Sequence, residues 1–232
     1  AVEEQVYLFF PFFLFFVPRN SILISLALMG LFSIALRTYF YYSGQPWFVS
    51  YVSMPACLDS FAIGGFMAWL QLYKMDLFKK IFSKSWPVLV GALAWGLLHY
   101  YSHFFASTKY NFANVVADRF VSSIFCFFLI GRGVMGYTGI IGSFLENGIS
   151  VYLGKISYGI YLYHNFVYNH YHSGPNHPVT RLLKKTYELL PELQGSVVFE
   201  FTVVVVLTIF VAAISWEYFE KPINALKDKF AK

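Results

Sequence analysis

The stretch Gly148–Tyr168 carries the side chains whose types and spacing best suit chemistry. Steps of three and four residues separate its small and polar members, which are Gly154, Ser157, Tyr161, His164 and Tyr168. Residues at such steps share one face of a helix. The other faces are apolar, so a membrane helix of this kind turns its hydroxyl, phenol and imidazole groups toward a bundle interior or a wet cavity. The pattern predicts one wall of a reaction or permeation path.

The same spacing limits what this stretch does alone. Ser157 and His164 are two turns apart, which is about 10 Å along a helix axis. A serine nucleophile needs its histidine within hydrogen-bonding distance and a third group that orients the histidine. The stretch therefore contains no self-sufficient Ser–His pair.

The composition predicts the elements that must position these groups. The 232 residues are 58% hydrophobic, 22% aromatic and only 12% charged, whereas soluble domains are about 25% charged. Such a chain cannot cover a soluble surface, and we interpret residues 1–232 as one all-α, polytopic transmembrane helix bundle in contact with membrane lipid. The net charge of +5 reflects loop lysines, and no basic stripe with interleaved aromatics indicates nucleic-acid binding.

Hydropathy predicts about seven spans, each near the roughly 20 residues that a bilayer crossing needs. They are Glu4–Val17, Ser21–Phe40, Ala56–Tyr73, Trp86–Tyr101, Val115–Ile130, Gly148–Tyr168 and Val197–Phe219. The first is short and contains Pro11, which predicts a tilt or a kink.

Loop charge predicts the orientation of these spans. With alternating spans, ten lysines and arginines fall on one side of the membrane, near Arg19, Lys74–Lys84, Arg132 and the C-terminal tail. Five fall on the other side, and Arg37 is counted among these as a loop charge. The richer side is expected to be cytoplasmic, which places the C-terminus inside and residue 1 outside. A chain that begins outside without a signal pattern is expected to follow further spans, so we expect an N-terminally truncated domain.

Ionisable residues inside spans are costly and therefore informative. We interpret Asp59 either as a helix-start acid near the interface or as a buried partner for another helix. Asp118 and Arg119 are adjacent, point about 100° apart on a helix and need not pair. The region Asn169–Gly195 holds His170, His172 and His177, but its spacing favours contact with a polar substrate over metal binding.

Four sequence strings together resemble the acyltransferase 3 family of membrane O-acyltransferases. VEEQVYL, followed by a proline among aromatics, resembles its first signature, and CLDSFAIGGFMAWL resembles its acidic segment. LGKISYGIYLYH is similar to its most specific helix motif, and FEKPI to its closing element. The strings occur in the family's order along the whole chain.

The resemblance carries roles onto particular positions. It implies that Glu3, Tyr7, Tyr158, Tyr161 and His164 are catalytic and that Gln5, Ser157, Asp59, Arg119 and Glu220 bind substrate. Val6 replaces the family's phenylalanine. Cys57 stands where many members have arginine, so the resemblance leaves Arg119 or Arg132 to compensate.

The resemblance also implies an activity and its partners. Such proteins move an acyl group, typically acetyl from cytoplasmic acetyl-coenzyme A, to a hydroxyl of an extracytoplasmic carbohydrate, with no metal. In that mechanism Glu3 orients a catalytic histidine, Tyr158 and Tyr161 line the intramembrane passage, and Lys74, Lys79 and Lys80 attract the coenzyme phosphates. The family's histidine lies in spans upstream of residue 1, so we expect this stretch of chain alone to be inactive. The expected location is a bacterial inner or plasma membrane.

Two other classes remain compatible with the pattern. A transporter or flippase for a glycan or small solute would line its permeation path with the same polar stripe. Discontinuous helices, and flux without consumption of acyl-coenzyme A, would favour this class. A membrane scaffold or sensor is the third class, and a full-length gene without a histidine in its early spans would favour it.

Overall fold

The computed structural model describes residues 2–105, 110–174 and 176–230, and these residues contain helices and no strand. The side chains of Glu3, Pro178, Leu182 and residues 227–230 lie outside what it describes. The all-α fold class is confirmed for this part of the chain. The chain divides into two compact units, residues 1–137 and 138–232.

The first unit contains seven α-helices among its described residues. They are α1 (Val2–Phe16), α2 (Ile22–Tyr42), α3 (Trp47–Val52), α4 (Leu58–Tyr73), α5 (Met75–Phe82), α6 (Trp86–Phe104) and α7 (Asp118–Val134). A 3₁₀ turn, Met54–Cys57, leads into α4, and a π-helical turn, Ala113–Ala117, leads into α7. Pro11 does not interrupt α1, which runs through it.

The core of the first unit lies where α4, α5 and α7 meet. It is built from Leu70, Phe78, Phe82 and Phe127, each less than a tenth exposed. The residues between Lys74 and Lys84, expected to form a loop, fold as α5 instead. The reason is amphipathic spacing: Phe78 and Phe82 are one turn apart and both bury against the neighbouring helices, while Lys79 and Lys80 stay exposed.

Close packing in this core depends on Gly131. A Cβ at that position would overlap the ring of Phe82, so only glycine lets α5 and α7 approach this closely. Aromatic contacts complete the packing, with the Phe82 and Phe127 ring centroids 4.9 Å apart.

The second unit contains six α-helices among its described residues. They are α8 (Gly139–Leu145), α9 (Gly148–Lys155), α10 (Ser157–Tyr171), α11 (Pro178–Leu189), α12 (Val197–Ser215) and α13 (Lys221–Phe230). The main packing is α10 against α12, where Gly159 lies against Ala212. A π-helical turn, Trp216–Glu220, joins α12 to α13. The region Asn169–Gly195 includes α11, so it is not one long loop.

The expected single helix Gly148–Tyr168 is broken at Ile156. Asn147 caps α9 by accepting hydrogen bonds from the amides of Ile149 and Ser150 at 2.9 and 3.0 Å. Helix α9 ends at Lys155, and Ile156, which is fully buried, leaves helical geometry before α10 begins. Gly154 and the stripe from Ser157 onward therefore lie on two helices.

Three helical stretches of the described residues are long and apolar enough to cross a membrane. They are Arg19–Tyr42, Ala113–Val134 and Val197–Leu226. A fourth results if Met75–Phe82 and Trp86–Phe104, bent by 64° at their junction, form one span. The chain therefore has the helices of an integral membrane protein, but the seven expected spans are not confirmed. Helices α1, α4 and α10, of 15, 16 and 15 residues, are too short to count on length alone.

Candidate functional site

A buried ion pair organises the polar part of the first unit. Arg37 of α2 and Asp59 of α4 are each 1% exposed, and the guanidinium meets the carboxylate with Nη1–Oδ1 at 2.8 Å and Nη2–Oδ2 at 2.6 Å. Two parallel contacts of this kind are the strong, orienting form of a charge-assisted hydrogen bond. Asp59 lies in the first turn of α4, but it is buried and is the partner of another helix.

Further hydrogen bonds connect this pair to the surrounding backbone. Arg37 donates to the carbonyl of Ala56 at 2.6 Å and to that of Val116 at 3.2 Å, and Ser33 donates to Asp59 at 3.1 Å. One side chain of α2 therefore holds the turn before α4 and the turn before α7. Arg37 had been counted as a loop charge, which is wrong because it lies buried inside α2.

A cavity of about 650 Å³ lies beside this ion pair, within the first unit. We call it the Arg119 cavity. Its lining includes Trp47, Tyr51, Tyr110, Asn114, Asp118 and Arg119. The volume is within the range of about 300–1,000 Å³ typical of small-molecule sites.

Helix α3 supplies two aromatic rings to the Arg119 cavity. Trp47 and Tyr51 are one turn apart, with ring centroids at 6.1 Å. Gly44, at a φ of +69°, permits the tight turn by which the chain leaves α2 and reaches α3. The Tyr110 hydroxyl donates to the Gln45 carbonyl at 2.7 Å, and its ring stacks on Tyr41 at 5.4 Å.

The first turn of α7 and the π-helical turn before it supply the polar lining. Asp118 Oδ1 is buried, lies 3.5 Å from His99 Nδ1 and has no hydrogen-bond partner among the described residues. Arg119 contacts Cys57 Sγ, donates to the Tyr51 carbonyl at 3.4 Å and lies 5.5 Å from the centroid of the Tyr51 ring. The two charges therefore do not pair with each other. Of the two arginines expected to compensate for Cys57, Arg119 contacts its thiol, whereas Arg132 binds Ser85 and Gly136.

The residues of the first signature lie on α1. Val6 is buried, while Gln5 is exposed and Tyr7 is 71% exposed. The side chain of Glu3 lies outside the described residues.

The helix motif of the second unit presents its predicted residues on an exposed face. Tyr158 and Tyr161 are 63% and 58% exposed, and Ser157 and His164 are exposed as well. The Nδ1 of His164 bonds the backbone carbonyl of Tyr161. Because a carbonyl only accepts, Nδ1 is the donor of this hydrogen bond.

The closing element reaches the helix motif inside the second unit. Ser215 donates to Glu220 Oε1 at 3.0 Å and lies 3.2 Å from the Tyr163 hydroxyl. Glu220 also lies over Gly159, where a Cβ would approach Oε1 to 3.1 Å. Tyr163, which the sequence pattern did not single out, is therefore the phenol that connects α10 to the closing element. The signal that could have identified it is the step of four from Gly159.

A second polar cluster lies at the C-terminal end of α10. His172 Nε2 is 3.0 Å from Glu200 Oε1, and its Nδ1 is 3.0 Å from the Tyr168 carbonyl. The hydroxyls of Tyr171 and Tyr187 are 2.9 Å apart. Burial, followed by this hydrogen bond, raises the pKa of the Tyr171 phenol, so it remains protonated. The histidine-rich region is thus partly folded against α12.

A largely apolar cavity of about 730 Å³ lies against α5, α6 and α7. Its lining includes Lys80 and Lys84 beside Leu77, Trp86 and Val90. Lysines at the edge of an apolar cavity can attract an anionic group while the apolar wall takes a hydrocarbon or pantetheine-like chain.

Comparisons with known proteins identify the family. No curated protein and no solved structure matches the chain. The model of the acyltransferase 3 family, described as an acyltransferase domain, matches residues 1–217. This match covers most of the chain, extends over the first unit and most of the second, and contains three of the four sequence strings, ending just before FEKPI. The chain therefore belongs to the acyltransferase 3 family.

Proposed function

We propose that this protein is a membrane O-acyltransferase that moves an acetyl group from acetyl-coenzyme A to a hydroxyl of a carbohydrate. The observation that carries the proposal is the family match over residues 1–217, together with helices apolar enough to cross a membrane. The family supports acyl transfer in general. The acetyl donor, the carbohydrate acceptor and the cell-envelope location are parts of the proposal.

Two features of the first unit suit the two substrates. The cavity edged by Lys80 and Lys84 offers positive charge beside an apolar wall, which suits the phosphates and pantetheine chain of a coenzyme A thioester. The Arg119 cavity combines indole and phenol rings with polar side chains. Sugar rings present apolar faces and hydroxyl edges, so such a lining suits a carbohydrate.

The second unit offers groups for proton transfer. In the proposed reaction, an acceptor hydroxyl attacks the thioester carbonyl, its proton passes to a base, and coenzyme A leaves as the thiol. His164 is exposed and can take the proton as the base, and the phenols of Tyr158 and Tyr161 can donate to the developing oxyanion. In this proposal the cytoplasmic side holds α5 and the C-terminus.

The test is acetylation of surface polysaccharide in cells. The full-length gene is deleted and then restored as wild type, Glu3→Gln or Tyr161→Phe, and O-acetate on the polysaccharide is measured by NMR. We expect deletion to remove the acetate and each variant to lower it at least about tenfold. Unchanged acetylation in a variant would remove that residue from the mechanism, and unchanged acetylation after deletion would contradict the proposal.

One observation favours a second function. The break at Ile156 makes the motif helix discontinuous, a feature of transporter helices that line substrate sites. A glycan transporter of this kind moves its substrate across vesicles without added acetyl-coenzyme A. Flux of unmodified glycan under those conditions would support the transporter and contradict the acyltransferase.

A further inference from the structure

Arg119 is a cation without an anionic partner in the Arg119 cavity. No carboxylate of the described residues lies within 4.0 Å of its guanidinium. Its contacts are the thiol of Cys57, the carbonyl of Tyr51 at 3.4 Å and the Tyr51 ring. These groups fix the position of the guanidinium but leave its charge uncompensated.

The other arginine of the same cavity shows the contrast. Arg37 also lines it, but both of its terminal nitrogens meet Asp59 at 2.8 and 2.6 Å. Arg37 is 1% exposed, and a buried charge is costly unless an opposite charge offsets it. Arg119 is only partly buried, so its charge is accessible from the cavity. Since only one of the two guanidiniums is neutralised by the protein, the other is suited to bind an anion from a ligand. A guanidinium fork matches the two oxygens of a carboxylate or phosphate.

The rest of the lining specifies what else the ligand carries. The rings of Trp47 and Tyr51 are 63% and 64% exposed, so they remain available for stacking. Asp118 lines the cavity with a side chain that is one-third exposed. Its Oδ1 is buried and lies 3.5 Å from His99 Nδ1, which leaves Oδ2 to accept a hydrogen bond from a ligand hydroxyl. The cavity thus offers a cation, two aromatic faces and an acceptor.

We propose that the Arg119 cavity binds an acidic sugar, a hydroxylated ring with a carboxylate or phosphate substituent. Arg119 binds the anionic group, Trp47 and Tyr51 stack on the ring, and Asp118 accepts from a ring hydroxyl. The proposal rests on the carbohydrate acceptor of the proposed function and narrows it to acidic sugars. It also gives Asp118 and Arg119, adjacent charges of opposite sign, separate partners on one ligand.

The test compares a charged probe with neutral probes of the same shape. The full-length protein is placed in nanodiscs of phosphatidylcholine, and binding of methyl glucuronide, methyl glucoside and methyl glucuronamide is measured by calorimetry. The expected result is at least about tenfold tighter binding of the glucuronide, since a hydrogen-bonded charge pair is lost in the neutral probes. Equal affinity for the three probes overturns the proposal.

Variants assign the preference to one side chain. Arg119→Gln is expected to abolish the preference for the charged probe, while Arg132→Gln, in the same helix but bound to Ser85 and Gly136, retains it. Arg119→Lys keeps the charge and is expected to retain part of the preference, which guards against a folding defect in the glutamine variant. A preference that survives in Arg119→Gln overturns the assignment.

Two further measurements complete the test. One distinguishes a lipid headgroup from an acidic sugar as the natural ligand, and the other distinguishes this inference from the proposed function. Nanodiscs containing phosphatidylglycerol test whether a lipid headgroup is the natural ligand; loss of glucuronide binding there overturns the acidic sugar in favour of lipid. Acetyl transfer is measured separately with acetyl-coenzyme A. Selective binding without transfer upholds this inference and contradicts the proposed function. Equal transfer to acidic and neutral sugars upholds the proposed function and contradicts this inference.

Discussion

The two units of this chain hold their polar groups in opposite ways. In the first unit the Arg37–Asp59 pair is buried, bidentate and tied to backbone carbonyls of two turns. In the second unit, Ser157, Tyr158, Tyr161 and His164 lie on an exposed helix face. The strongest sequence motif therefore marks accessible groups, while the most enclosed polar network belongs to a weaker one. Motif strength indicates shared chemistry, and burial indicates which groups hold the fold together.

The largest expected effect is loss of the buried ion pair. Asp59→Asn keeps the size of the side chain but leaves Arg37 buried without its counter-charge, which costs about 3–5 kcal/mol of unfolding free energy. Thermal unfolding of the detergent-solubilised full-length protein measures the loss. The double variant Arg37→Met with Asp59→Leu is expected to recover most of it, because no buried charge remains. If Asp59→Asn alone is as stable as wild type, the buried pair does not stabilise the first unit and the contrast with the exposed groups of the second unit fails.

The next effect is steric. Gly131→Ala places a methyl group against the Phe82 ring and is expected to cost about 1–3 kcal/mol through overpacking. Gly133→Ala is the matched control in α7, since its Cβ would meet Tyr137 at 3.9 Å, an ordinary contact. Gly159→Ala in the second unit, with Ala212 at 3.2 Å, is expected to fall between them. Equal unfolding temperatures for the Gly131 and Gly133 variants would contradict the packing of α5 on α7.

A smaller effect separates phenols that hold the second unit together from phenols that react. Tyr163→Phe loses the contact with Ser215 and is expected to lower stability by about 0.5–1.5 kcal/mol. Tyr158→Phe changes an exposed hydroxyl, so stability is expected to stay unchanged while acetyl transfer falls. The two are distinguished by measuring unfolding and transfer on the same preparations. A Tyr158 variant with wild-type transfer would place that phenol outside the mechanism.

The smallest expected effect is on the exposed ion pair of the second unit. Lys221 Nζ and Glu217 Oε2 are 2.8 Å apart and largely exposed, and such pairs contribute little. Glu217→Gln is expected to leave the unfolding temperature unchanged within error. A clear decrease would show that exposed pairs also support this unit.

Sequence reasoning predicted the fold class but not the polar core. Apolar composition sufficed for an all-α membrane protein, and the acid of CLDSF was interpreted with a buried partner as one alternative. The partner itself was missed, because Arg37 lies near the end of a hydrophobic run and was counted as a topology charge. Pairing across α2 and α4 depends on tertiary contacts, which neither hydropathy nor spacing contains.

The breaks in regular structure were also missed. Ile156 interrupts the helix, although no proline in the sequence marks a break there. The helix α5 was hidden because its lysines dominate the loop-charge pattern, although Phe78 and Phe82 have helical spacing. The motif residues lie on one helix from Ser157 to His164, as their spacing predicted, but their face is exposed among the described residues and does not turn toward a bundle interior.

Transfer of labelled acetyl groups tests the central claim most directly. Membrane vesicles containing the full-length protein receive [¹⁴C]acetyl-coenzyme A on the cytoplasmic face and an acidic oligosaccharide on the other. The account predicts alkali-labile label on the oligosaccharide, dependent on the protein and reduced in Tyr161→Phe. If folded protein labels none of the acceptors offered, acidic or neutral, the result contradicts the account.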